Sequence, residues 1–308
     1  MKTANIENGL VRKQTRRAFA KTVSAAALSA GVFRSASAIE PVQRKGTHMK
    51  LSLAAYSFRQ YLSGAKKSMT LEDFVDLCAQ YNLDGTEPTS YYFPEPVTTE
   101  YLRRLRRRAF LQGLGISGTA VGNTFTQPPG PARDKEIAHV KKWVDYAVDL
   151  GAPVIRIFAG NLQKGTTEEQ ARQWAIEAIN ECCRYAGEHG IILALENHGG
   201  IVTTAEQLLL IVKAVQSDWF GVNLDTGNFR SSDPYHELEM AAPYAVTVQV
   251  KTEISPNGNR TEANLARVIA ILKSAGYRGF VALEYEARED PKTAVPRHLK
   301  KLRQLIES

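Results

Sequence analysis

From Met49 onward the chain repeats one unit: a short apolar run, a polar loop, then a stretch with helical spacing. The apolar runs fall at 50–58, 83–88, 115–121, 154–159, 191–196, 220–225, 246–251 and 280–284. Each is rich in Val, Ile, Leu and Ala, the composition of a strand buried on both faces. The helical patterns cover 71–81, 133–150, 168–189, 204–215, 264–275 and 292–306. Thr70 precedes the first as a capping residue, with Leu71, Phe74, Val75, Leu77 and Cys78 on one face. Gly151, Gly190 and Gly276 stand where helices should stop. Parallel strands need helical crossovers, and eight such units close into a single (β/α)8 TIM barrel. An open doubly wound sheet is the alternative, but no G-x-G-x-x-G follows the first run. A parallel barrel carries its chemistry at the C-terminal ends of the strands.

Composition adds little to that fold and excludes several functions. The chain of 308 residues is 44% hydrophobic and 23% charged, ordinary values for a globular protein. Its three cysteines, two of them adjacent (Cys182 and Cys183), suit neither a disulfide framework nor a metal knuckle and read as buried small hydrophobes. The net charge of +7 is concentrated at the N-terminus. Residues 1–38 hold Lys2, Arg12, Lys13, Arg16, Arg17, Lys21 and Arg34 against the lone acid Glu7. The rest of the chain is nearly neutral and lacks the electrostatic footprint of a nucleic-acid binder.

That basic leader has its own logic. Thr15-Arg16-Arg17-Ala18-Phe19-Ala20-Lys21 precedes an uncharged, Ala- and Ser-rich stretch, and Ala36-Ser37-Ala38 offers a small-residue cleavage site. The twin arginine resembles a Tat signal, and the apolar run is too short to span a bilayer as a helix. The expected organisation is a Tat-type signal peptide at 1–38, a linker at 39–48 and the catalytic barrel at 49–308. Export by the Tat machinery would place the protein in the periplasm or another extracytoplasmic space.

The last four strand ends read Ala194-Leu195-Glu196-Asn197-His198, Asn223-Leu224-Asp225-Thr226-Gly227-Asn228, Val248-Gln249-Val250-Lys251 and Leu283-Glu284-Tyr285-Glu286. Each sets an acid or amide, Glu196, Asp225, Gln249 or Glu284, after an apolar run. Buried carboxylates converging on one barrel mouth repel unless a cation compensates them. One divalent metal is the simple answer, and oxygen donors favour Mn²⁺ or Mg²⁺ ahead of Co²⁺ or Zn²⁺. The alternative is that these acids are helix caps or salt-bridge partners. Glu, however, is a poor cap, and no helical pattern follows Asp225.

In their order and spacing, Leu195-Glu196-Asn197, the segment from Asn223 to Asn228, and Leu283-Glu284-Tyr285 resemble the sugar phosphate isomerase/epimerase family of xylose isomerase-like barrels. The resemblance covers about residues 50–305. It implies one divalent metal held by Glu196, Asp225, Gln249 and Glu284, with Gln249 standing where the family carries His within His-x-His-x-Lys-Asp. The chain also departs from the pattern at Asn228, often His in epimerases, and at Val202, where some carry a further Glu. The implied reaction is proton abstraction next to a carbonyl through an ene-diolate, with Glu196 and Glu284 as the acid–base pair. A lyase or hydratase acting on keto-sugars or glycosides would use the same enolate chemistry.

Substrate contacts are expected from His198, Asn228, Lys251, Glu87, Tyr56 and Arg156, since sugars are held by aromatic faces and fixed polar groups. Glu87 and Arg156 have a structural reading as a buried ion pair, and Lys251 one as a solvated lysine. The segment Tyr91-Tyr92-Phe93-Pro94 reads equally as a mouth loop or as core. The expected partner is a small-molecule sugar, and self-association into a homo-oligomer is compatible with the fold. A phosphodiesterase with a multi-metal cluster fits poorly, because of His48, His139, His189, His198, His236 and His298 only His198 lies near a strand end. A non-catalytic sugar-binding barrel is the reading from another class.

Overall fold

The computed structural model describes residues 40–42 and 46–308, so the leader read at 1–38 lies outside the described residues. Eight strand positions are laid down in chain order. They are β1 (His48–Leu53), β2 (Gly85–Thr86), β3 (split into Gly115–Ile116 and Thr119–Ala120), β4 (Val154–Ile157), β5 (Ile192–Glu196), β6 (Phe220–Asp225), β7 (Ala245–Val250) and β8 (Arg278–Leu283). The helices that follow them are α1 (Leu71–Gln80), α2 (Thr99–Leu111), α3 (Pro131–Leu150), α4 (Glu168–Glu188), α5 (Ala205–Val212), α6 (Pro234–Ala241), α7 (Leu265–Ser274) and α8 (Pro291–Glu307).

All strand pairings of the barrel are parallel. A continuous ladder runs from the second segment of β3 through β4, β5, β6, β7 and β8 to β1. The first segment of β3 pairs with β2. The remaining gap is closed by a bridge between Ala54 and Glu87, with Glu87 N donating to Leu53 O and Ala55 N to Glu87 O at 2.9 Å each. The sheet therefore has no free edge, the solution a barrel offers to unpaired strand groups. Every residue of β4 and of β6 is buried, the two-sided burial that their unbroken apolar sequence implies.

The helix starts follow local chemistry. Thr70, Thr167 and Thr204 each form a capping box, with Asp73, Gln170 and Gln207 respectively. Gly151 ends α3 in the left-handed conformation, φ 76°, where a Cβ would also collide with Arg106. Two helices lack a counterpart among the helical patterns expected from sequence, α2 and α6. In α2 only Tyr101, Leu102, Leu105 and Ala109 are buried, beneath five arginines, so its apolar stripe is thin. In α6, eight residues start at Asp233 and Pro234 and give too little length for a period. The three cysteines are buried and unpaired, as expected.

Leu195 sits in β5 one residue before Glu196 and is fully buried. Leu195→Ala should lower unfolding stability by about 2–5 kcal/mol, the range for such a core truncation. Urea titration should show a reduced midpoint with an unchanged m-value.

Candidate active site at the barrel mouth

Because the strands are parallel, their C-terminal ends share one rim, and the two-residue period of a strand sends alternate side chains inward. On β6 this selects Asn223 and Asp225, on β7 and just past its end Gln249 and Lys251, and just past β8 Glu284 and Glu286. The inward groups stack in two polar layers.

The deeper layer is an amide chain. Asn223 Nδ2 donates to Gln249 Oε1 and Gln249 Nε2 donates to Glu87 Oε1, both at 2.7 Å. Burial, reinforced by the charge of Glu284, pushes the Glu87 carboxyl up to about 7.

The upper layer surrounds Lys251. Its Nζ lies 2.6 Å from Glu284 Oε2, 2.7 Å from Glu286 Oε1 and 3.3 Å from Asp225 Oδ2. Burial works against the ammonium, but the carboxylates outweigh it and hold its pKa well above the usual lysine value. The lysine is 7% exposed and Asp225 is 0% exposed, so this cluster is withdrawn from solvent. Asp225 Oδ1 accepts from Gly227 N at 2.8 Å, and burial raises its carboxyl pKa despite Lys251. Asn197 brackets the same residue, donating from Nδ2 to Asp225 O and accepting from Asp225 N at 2.9 Å each.

Glu196 has separate partners. Its Oε2 forms an ion pair with Arg156 Nε at 2.9 Å, and its Oε1 accepts from Asn228 Nδ2 at 2.9 Å. Burial pushes its carboxyl well above the usual range, against the pull of Arg156 and with the push of Asp225 and Glu284. Arg156 also donates from Nη1 to Val121 O and lies over the Phe158 ring. The expected Glu87–Arg156 pair is therefore not formed. Arg156 on β4 neighbours Glu196 on β5, whereas β3 separates it from Glu87.

His198 lies on the loop after β5, exposed at one edge and stacked on Phe158 at 4.3 Å between centroids. Desolvation and the charge of Arg156 lower its pKa, which favours a neutral imidazole. Tyr56 is half-buried and edge-on to Tyr91, whose hydroxyl is 3.4 Å from Arg156 Nη2. The Tyr91-Tyr92-Phe93-Pro94 segment divides its roles: Tyr91 is exposed toward Arg156, and Phe93 packs into the core against Tyr101 and Trp143. Two cavities flank the cluster. One of about 270 Å³ is bounded by Asn228, Arg230, Lys251, Arg260 and Glu286. The other, about 210 Å³, is bounded by Asn123, Phe158, Gly160 and His198.

The four expected metal ligands do not share one centre in this arrangement. Asp225 and Glu284 meet at Lys251, Glu196 is turned to Arg156 and Asn228, and Gln249 has both ends of its amide engaged. Among the described residues no group of three or more His, Cys, Asp or Glu is placed to hold an ion. The donor set as built does not fit a divalent metal. Glu286, Asn223 and Asn197 are site residues that sequence reading did not single out. The first two share the inward parity of Glu284 and Asp225, and that parity was the available signal.

A closed parallel barrel with an ionisable, buried mouth defines the class. Within it, residues 75–305 match the family described as xylose isomerase-like TIM barrel, and the chain belongs to that family. Similar solved structures include D-psicose 3-epimerase from Clostridium cellulolyticum H10 with D-tagatose, at 16% identity and TM-score 0.70, covering 84% of this chain and 100% of that one. The IolI protein with a binding zinc atom is similar at 20% identity and TM-score 0.66, covering 83% and 96%. The 3-keto-D-glucoside 4-epimerase YcjR from E. coli is similar at 13% identity and TM-score 0.64, covering 83% and 99%. At these identities the likeness is one of fold. Among curated proteins, none matches the sequence.

The Glu87 carboxyl, raised from 4.5 to about 7, keeps its proton in the folded state over a range where the unfolded chain has lost it. Its contribution is therefore most favourable below about pH 4.5 and is lost as pH rises toward 7. Urea unfolding at pH 5 and pH 7.5 should show Glu87→Gln losing less stability across that interval than the parent, by up to about 1.4 kcal/mol per pH unit.

Proposed function

We propose that this protein is a sugar isomerase or epimerase that moves a proton at the carbon next to a carbonyl. The observation that carries the reading is the pair of buried carboxyl groups, Glu196 and Glu284, each held by a different fixed cation at one barrel mouth. Acid–base catalysis at neutral pH needs one group that holds a proton and another that accepts one, and distinct environments are how a protein separates the two. Glu196, with its raised pKa, is assigned as the acid. Glu284, ion-paired with Lys251, is assigned as the base that removes the C–H proton. The electron pair left on carbon moves into the carbonyl, and Glu196 protonates its oxygen to give the ene-diol; Glu284 then returns its proton to the former carbonyl carbon while the neighbouring hydroxyl gives its proton to Glu196, which completes an isomerisation with both carboxyls reset. For an epimer the ene-diol hydroxyl gives its proton back to Glu196, which delivers it to the opposite face of the original carbon, and the first proton stays on Glu284 to exchange with solvent.

Family membership supports this reading, as do similar structures whose subjects are a psicose 3-epimerase, an L-ribulose 3-epimerase and a 3-keto-D-glucoside 4-epimerase. Asn228, Tyr56 and His198 are assigned to sugar hydroxyls, with the flanking cavities as the space for them. With the Tat-type leader read at 1–38, the reading places the enzyme outside the cytoplasm, on unphosphorylated sugars.

Incubation with unphosphorylated ketohexoses and 3-keto-glycosides in D₂O, followed by mass spectrometry and NMR, tests it. A product of unchanged formula carrying solvent deuterium at the carbon next to the carbonyl is the expected result. Loss of one water would assign elimination instead, and binding without turnover would leave a sugar-binding barrel. Glu196→Gln and Glu284→Gln should each reduce turnover about 10²–10⁴-fold in protein that still melts cooperatively.

A further inference from the structure

The barrel mouth has a built-in cation at the point where its acids converge. Lys251 sends its side chain over Gly227, where any Cβ would lie 2.7 Å from Lys251 Cγ and 2.8 Å from its Cβ. The lysine's backbone is anchored by donation from Lys251 N to Thr226 Oγ1 at 2.9 Å. A glycine and a hydroxyl thus cut a channel for this one side chain. Its end meets carboxylates from two strand ends, Asp225 as the last residue of β6 and Glu284 with Glu286 just after β8. The fourth position of the expected ligand set, Gln249, is held away by the amide chain to Asn223 and Glu87. Imidazole, the stronger donor for a transition metal, is absent there.

We propose that the Lys251 ammonium replaces the divalent ion in this chain, so that the site assembles and works with no bound metal. Its role in turnover rests on the proton-transfer reading above, whereas its role as resident cation does not. Two short contacts, to Glu284 and Glu286, use two of the three ammonium donors. The third carboxylate oxygen, Asp225 Oδ2, lies at 3.3 Å and has no hydrogen bond of its own. The Asp225 contact, the longest of the three, is the one a substrate oxygen would displace, and it lies beside the carboxylate assigned as base. As Glu284 takes the C–H proton, negative charge develops on the substrate carbonyl oxygen. A fixed ammonium donor at that oxygen stabilises the developing charge as an oxyanion-hole donor does.

Metal content and metal binding can be read without any substrate. Purified mature protein should contain well under one equivalent of Mn, Mg, Co or Zn by inductively coupled plasma mass spectrometry. Calorimetric titration with MnCl₂ and with ZnCl₂ should show no saturable site. One ion per chain that survives dialysis, or a saturable Mn²⁺ site in the parent protein, would overturn the proposal even if the sugar reaction holds. Failure to find a sugar substrate would leave these readouts intact. As a second arm, Gln249→His combined with Lys251→Ala restores the family ligand and vacates the centre. It should acquire Co²⁺ binding visible as d–d absorption, and absence of that gain in a variant that melts cooperatively would count against Lys251 as the occupant. In the active enzyme, EDTA should change turnover less than twofold. Lys251→Met should lower kcat about 10²–10³-fold with little change in KM, and added Mn²⁺ should not restore it. Rescue by Mn²⁺ would return the site to metal chemistry.

Discussion

Burying carboxylates at the end of a barrel is tolerable only if positive charge is buried with them, and this constraint organises the mouth. An isolated ion transferred from water to the protein interior loses far more than any single contact returns. Here two cations supply part of that charge from fixed positions, Lys251 among Asp225, Glu284 and Glu286, and Arg156 beside Glu196. Each cation is itself held: Arg156 by Val121 O and the Phe158 face, Lys251 by the groove over Gly227. Removing either would leave buried charge without a partner. Both are therefore structural as well as chemical parts of the site.

Strand register delivers these groups to one place. Val281 pairs with Val248 and Leu283 with Val250, so the next residues along, Glu284 and Lys251, emerge side by side. The β6–β7 ladder shifts register between Val222 and Asn223, and beyond the shift Asp225 lies opposite Gln249. Asn197 then ties the end of β6 to the end of β5 through paired amide hydrogen bonds. The acidic groups of the mouth are thus tied together across β5 to β8. The β1 to β4 side contributes aromatic and cationic surface, from Tyr56, Tyr91, Phe158 and Arg156.

Much of this was legible in the sequence, for a physical reason. Strands buried on both faces, as β4 and β6 are, must be apolar throughout and stand out as runs, and a carboxylate that ends such a run is conspicuous. Glu196, Asp225 and Glu284 were visible in that way. Helices α2 and α6 were not, because five arginines dilute the stripe of one and eight residues give too little period in the other. Pairing was less legible than position. Arg156 faces Glu196 rather than Glu87 because adjacency around a barrel follows strand order, and nothing in a linear pattern says which neighbour a long side chain selects. Lys251 read equally as a solvated strand-end lysine. Only the convergence of three carboxylates around its ammonium shows it to be the centre of the cluster.

The balance of charge in the mouth bears on what it can do. Among the buried groups Glu87, Glu196, Asp225 and Glu284 outnumber Arg156 and Lys251, and the surplus is met by acids whose affinity for protons is raised, whereas that of Glu286, which Arg59 and Arg260 also attract, is lowered. Glu87 is raised to about 7, and Glu196 and Asp225 are raised as well, in each case chiefly by burial. A cluster with too few cations for its acids holds protons near neutral pH, and a proton held near neutral pH is one that can be given up and recovered. The raised affinity of Glu196 for its proton, on which its assignment as donor rests, follows from burial and from that electrostatic shortfall.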